Sequence, residues 1–171
     1  MNKITNIYLL LDCSKHMEGR AILRAQQILI RYKRALSFSK AKTKIHIIGF
    51  NDNVFPLNIN NQIYSGGNPN IGEALRQLFF RLSKEEHTIN TRTRSIFMLH
   101  TSGIVMPNWA HSLNLLFGKK EFALGLRYVI TYGTTDGISK RAFTAFADTE
   151  DKILPYFSDS RLCSLVESVS R

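Results

Sequence analysis

The stretch ITNIYLLLD, from Ile4 to Asp12, limits the folds open to this chain more than any other. A run this apolar, without inside–outside alternation, suits a strand buried on both faces of a parallel sheet. Such a strand needs helices above and below it, and the following sequence supplies them. Glu18 to Phe38 reads as a long helix. At about 100° per residue, Ile22, Ala25, Leu29, Tyr32 and Leu36 gather on one side of it, with Arg20, Arg24, Arg31 and Arg34 opposite.

The alternation then repeats. Thr43 to Phe50 is a second strand, and the turn signal Asn51-Asp52-Asn53 leads into a short antiparallel edge strand, Val54 to Leu57, where Pro56 is tolerated. An Asn/Gly-rich loop from Asn58 to Pro69 precedes a helix from Asn70 to about Glu86, buried through Ile71, Ala74, Leu75, Leu78 and Leu82. Ser95 to Thr101 is a third buried strand, followed by a helix from about Pro107 to Leu116 with the proline in its first turn. Leu126 to Tyr132 is another strand, and a helix from about Ser139 to Ala147 comes next. Lys152 to Tyr156 suits a last short strand, and Ser158 to Ser170 a terminal helix capped by Ser158 or Asp159. The expected fold is α/β: a three-layer sandwich with a mostly parallel, doubly wound sheet of about six strands and helices on both faces. In such sheets function sits beyond the carboxyl ends of the strands, here the loops beginning at Asp12, Tyr64, Thr101 and Gly133.

Length bounds the organisation. With 171 residues, 44% of them hydrophobic, the chain reads as one domain spanning 1–171, without repeat or linker. No apolar run approaches a membrane span, and Met1-Asn2-Lys3 leads into a strand rather than a signal peptide, so a cytoplasmic location is expected. Cys13 and Cys163 make no disulfide scaffold and read as reduced core thiols. The net charge of +10 is concentrated: eight basic residues fall between Arg20 and Lys44 with no Asp or Glu among them. That field suits an acidic partner.

Three segments carry a family resemblance. YLLLDCSKHMEGRAI (Tyr8 to Ile22) resembles the opening of von Willebrand factor A (VWA) domains, where a buried strand ends in Asp-x-Ser-x-Ser. SGGNPNIGEAL (Ser65 to Leu75) is similar to that family's Gly-Gly-Thr-Pro-x-Gly element, and IFMLHTSGIVMPNW (Ile96 to Trp109) to its Thr-Asp-Gly loop followed by Trp. Together they are specific, although each alone is weak. The resemblance implies a Rossmann-like fold and a metal-ion-dependent adhesion site, in which Mg²⁺ held by the three loops is completed by a partner's carboxylate.

Carried over by position, the ligands would be Asp12, Ser14, His16, Asn68 and Ser102. Asp12 and Ser14 keep the pattern. His16 replaces a serine with an imidazole, Asn68 replaces a threonine, and Ser102 replaces the second aspartate. Mg²⁺ needs about six oxygen ligands and anionic charge to offset its lost water. One carboxylate in place of two predicts a degenerate site that does not hold Mg²⁺ firmly, with Asp12 hydrogen-bonding loop amides instead. Asp12, His16 and His100 could serve a softer ion such as zinc but fall short of a closed site. His46, His87 and His111 carry no spacing signal.

No nucleophile elbow, P-loop, GxGxxG or paired carboxylates point to an enzyme. The expected function is a non-catalytic protein-interaction module or adaptor. Within the family the chain resembles intracellular bacterial proteins associated with tellurium resistance, chiefly through Leu99 to Trp109 and the terminal helix. That implies a place in a stress-response or defence gene cluster. Candidate contacts are Lys15, His16, Asn68, Pro69 and the apolar run Ile104, Val105 and Met106. The alternative is nucleic-acid binding through the arginine face with Lys40, Lys42 and Lys44, but that face lacks interleaved aromatics along the sequence. A charged face is also the ordinary solvated side of an amphipathic helix.

Overall fold

A computed structural model describes residues 4–37, 42–58, 60–85, 93–157, 161 and 164. Its centre is a six-stranded sheet in the order β3-β2-β1-β4-β5-β6. The strands are β1 (Ile4–Asp12), β2 (Lys42–Phe50), β3 (Val54–Pro56), β4 (Thr93–Thr101), β5 (Leu126–Thr131) and β6 (Ile153–Pro155). Only β3 runs antiparallel, at the edge beside β2. Its shortness, with Pro56 opposite Ile48, limits how far that edge can template further pairing.

The apolar run of β1 is explained by its place between β2 and β4. Residues alternate between two cores: Ile7, Leu9 and Leu11 face one way, Tyr8 and Leu10 the other, and all five are buried. Full burial of each leucine contributes about 2 kcal/mol. The first core is closed by α1 (Arg20–Ser37) through Ile22, Ala25, Ile28, Leu29 and Tyr32. The second is closed by α2 (Ile71–Glu85), α3 (Trp109–Phe117), α4 (Lys120–Leu124) and α5 (Gly137–Ala147). Helices thus cover both faces, unequally among the described residues.

The elements depart from the expected ones at several boundaries and by one added helix. The first helix begins at Arg20 because Lys15–Met17 forms a separate 3₁₀ turn, with Met17 buried beneath it. Pro107 lies two residues before α3, in a turn, with Asn108 as the N-cap, so it is not in the helix's first turn. The short α4, in a stretch for which the sequence suggested no element, buries the single large side chain Phe122; one anchor gives no periodicity to read. Lys40, Phe38, Glu86, His87, Cys163 and most of the expected terminal helix lie outside the described residues. No helix among those described is long and apolar enough to cross a membrane.

Candidate functional site

Strand order reverses between β1 and β4, so the loops leaving these two strands part to either side and open a cleft between them. Asp12 ends β1 and Ser102 follows β4, which places both at this switch point. Asp12 is wholly buried. Its Oδ1 accepts the Ser14 backbone N–H at 2.9 Å. Its Oδ2 accepts both the Ser102 backbone N–H at 2.9 Å and the Ser102 hydroxyl at 2.6 Å. A buried carboxylate without partners would be costly, and here three donors from two loops satisfy it.

The second loop joins through its backbone. Lys15 N–H donates to Gly67 O at 2.9 Å, and Gly66 N–H donates to Cys13 O at 2.8 Å. Asn108 Nδ2 donates to Asn70 Oδ1 at 3.0 Å, which ties the third loop to the second. Three separated turns therefore meet at the carboxyl end of the sheet. The fourth loop closes behind them: Gly103 has φ +100, and a Cβ there would lie 2.6 Å from Thr134 O.

Asn68 faces a partner that its family-derived role did not anticipate. Its backbone N–H and its Nδ2 both donate to Asp52 Oδ1, each at 3.1 Å. Asp52 also packs so closely on Gly67, whose φ is +72, that a Cβ there would meet Oδ2 at 2.2 Å. In the sequence Asp52 reads only as a turn residue; the cue to its role was the glycine pair at positions 66 and 67. His16 and Lys15 are exposed on the 3₁₀ turn. Pro69 is buried, so its candidacy as a partner contact fails: its ring packs inward instead of offering a surface. The apolar run divides. Val105 packs against the second core, whereas Ile104 and Met106 are 39% and 43% exposed. Tyr64, missed in the sequence reading, is 74% exposed two residues before Gly66.

The Mg²⁺ implied by the fold does not fit these residues. Among the five carried-over positions the one carboxylate is Asp12, and both of its oxygens already accept protein donors. Ser102 supplies a donor where a second ligand charge would be required. The Nδ2 of Asn68 is turned to Asp52, to which it donates. One atom is left over: Ser14 Oγ is buried with no hydrogen-bond partner, a fragment of a coordination shell rather than a site. The histidines do not assemble a zinc site either. His100 is fully buried, and its Nδ1 lies 2.9 Å from the Tyr132 hydroxyl. Burial lowers its pKa to about 3, which keeps the ring neutral. Among the described residues no three His, Cys, Asp or Glu side chains are grouped to hold a metal. Cys13 is buried, and that burial, with Asp12 beside it, pushes its thiol pKa up to about 12, far from a reactive thiolate.

No protein-family model and no curated protein matches the chain. Solved structures do. Proximal thread matrix protein 1 from the mussel byssus superposes with a TM-score of 0.71 at 16% identity, over 98% of this chain and 48% of its own. The same protein with a zinc-occupied MIDAS motif gives a TM-score of 0.68 at 16% identity, over 98% and 48%. The pilus adhesin SpaC from Lactobacillus rhamnosus GG, in an open conformation, gives 0.72 at 10% identity, over 98% of this chain and 30% of its own. The chain thus spans less than half the length of these proteins, and identities this low speak for the fold alone. By strand order, antiparallel edge strand and converging loops, the chain has a von Willebrand factor A-like α/β fold.

Proposed function

We propose that the chain, as a single module over residues 1–171, is a non-catalytic protein-interaction adaptor that grips its partner through the loop rim without a bridging cation. The observation that carries this reading is the saturation of Asp12 by Ser14 and Ser102. With three protein donors on its two oxygens and a serine where a second carboxylate would stand, Asp12 has little left to offer a cation shared with a partner. The rim offers other chemistry instead: Ile104, Met106 and Tyr64 are apolar and exposed, beside the exposed Lys15 and His16. Exposed apolar side chains on loops are what protein interfaces bury first. Structures that share the fold include a matrix protein and a pilus adhesin, which fits a binding role for this one.

The resemblance of Leu99 to Trp109 to tellurium-resistance-associated proteins supports a finer placement, in the bacterial cytoplasm among products of a stress-response cluster. The test is co-purification with the products of adjacent genes. Capture should persist in EDTA and fall at least about tenfold with Ile104→Lys and Met106→Lys together, the size of effect expected from two lost apolar anchors. Capture abolished by EDTA and restored by Mg²⁺ would refute a cation-independent grip.

A further inference from the structure

The arginine face of α1 lacks aromatic residues along the sequence, but the fold brings them to it from the far end of the chain. After β6, Tyr156 and Phe157 lie against α1 and, with Arg24, Gln27, Ile28 and Arg31, line a groove of about 190 Å³. Among the described residues that line it there is no carboxylate. Phe157 is 73% exposed. It is not loose. It meets Tyr156 edge-on at 5.6 Å between ring centroids, and Tyr156 stacks on Tyr132 at 5.5 Å and 10°. Tyr132 is in turn anchored by the buried His100. Arg24 is braced at 3.1 Å by Gln27.

We propose that this groove binds single-stranded nucleic acid, at a site separate from the loop rim. The ligand's chemistry follows from the shape of the charge. Arg20, Arg24 and Arg34 are exposed, and α1 contains no acidic residue in its first turn. At about 1.5 Å per residue they form a ladder about 21 Å long, which matches a polyanion better than a single phosphate. An aromatic ring held beside such a ladder is a stacking platform. It can engage a base only where bases are unpaired, which favours a single strand over a duplex. Phe157 has no hydrogen-bonding atom, so its stacking contact is the same for any base and carries no sequence preference of its own.

Fluorescence anisotropy of the full chain with a labelled 12-nucleotide oligothymidylate tests this directly, alongside a duplex of equal length and labelled poly-L-glutamate. The expected result is binding at low salt, tighter to the single strand than to either competitor. Phe157→Ala should weaken binding about tenfold with an unchanged salt slope, and Phe157→Trp should retain it. Arg24→Ala should instead reduce the slope of log K against log salt by about 0.7, the loss of one phosphate contact on a single strand. Both positions are exposed, and melting curves of each variant confirm an intact fold. No binding, binding indifferent to Phe157→Ala, or equal binding to the duplex or to polyglutamate would overturn the proposal. None of these results would bear on partner capture by the rim.

Discussion

Among the described residues two charged side chains are buried, Asp12 and Arg127, and their surroundings differ instructively. Asp12 ends the central strand, where the fold family places a metal ligand, and takes its donors from the loops at the switch point. Arg127 lies on β5, 5% exposed, and takes its acceptors from helix ends. Its Nε donates to Phe146 O at 2.9 Å, and its Nη1 donates to Phe122 O at 2.8 Å and Ala123 O at 3.0 Å. These carbonyls close α4 and α5, where helices leave acceptors unpaired and partial negative charge accumulates. Phe117 and Phe122 add ring faces at 5.2 and 5.3 Å. Burial lowers the Arg127 pKa, and Asp148 at 3.7 Å opposes that shift. One charge is held by amides and one by carbonyls; neither needs an ion. Burial of a charge therefore does not by itself mark a binding site.

The comparison can be broken most forcefully at Arg127. Arg127→Met leaves several carbonyls unpaired at two helix ends and should destabilise the fold by about 4 kcal/mol in urea unfolding, with Arg127→Lys recovering only part. A loss below about 1 kcal/mol would mean that water replaces the guanidinium freely. Asp12→Ala comes next. It strands the Ser14 and Ser102 N–H groups and should cost about 2–3 kcal/mol, by the penalty for buried donors left unmade. The cost should be the same in EDTA and in Mg²⁺. Ser102→Ala, which removes the single 2.6 Å hydroxyl bond, should cost about 1 kcal/mol.

A further effect concerns pH. His100 is held neutral in the fold, with a pKa near 3, below the value of about 6.5 expected once unfolded. Between these values the unfolded chain binds the extra proton, so the contribution of His100 is present above pH about 6.5 and is lost progressively as pH falls towards 3. His46, lowered by burial and by Arg81, acts in the same direction. Replacing His100 by Phe should flatten the pH dependence of stability across this window by about 1 kcal/mol or more. An unaltered pH profile would mean that the ring is solvated.

The fold was legible in the sequence because its signals are local. The unbroken run of β1, the 3.6-residue spacing of Ala74, Leu75, Leu78 and Leu82, and Pro56 at an edge each carry their own cause. The converging loops were legible too, through the order of three motifs. What escaped depends on contacts between distant residues. Asp52 holds Asn68 across sixteen positions. Phe157 reaches α1 only because β6 ends beside it, so the aromatics missing from the arginine face could not be found along that segment. Pro69, a loop residue by sequence, is buried because its loop folds onto the protein. Ser102 read as an absent ligand, and only geometry reveals it as a donor that takes the place of the missing charge.

The account rests on the claim that protein donors, not a cation, satisfy Asp12. Isothermal titration of the full chain with Mg²⁺, beside Asp12→Ala and Ser102→Asp, tests it most directly. The wild-type chain should give no binding heat at millimolar Mg²⁺, and Ser102→Asp, which restores the second carboxylate, should gain a binding signal. A clear Mg²⁺ isotherm for the wild type that vanishes in Asp12→Ala would contradict the claim.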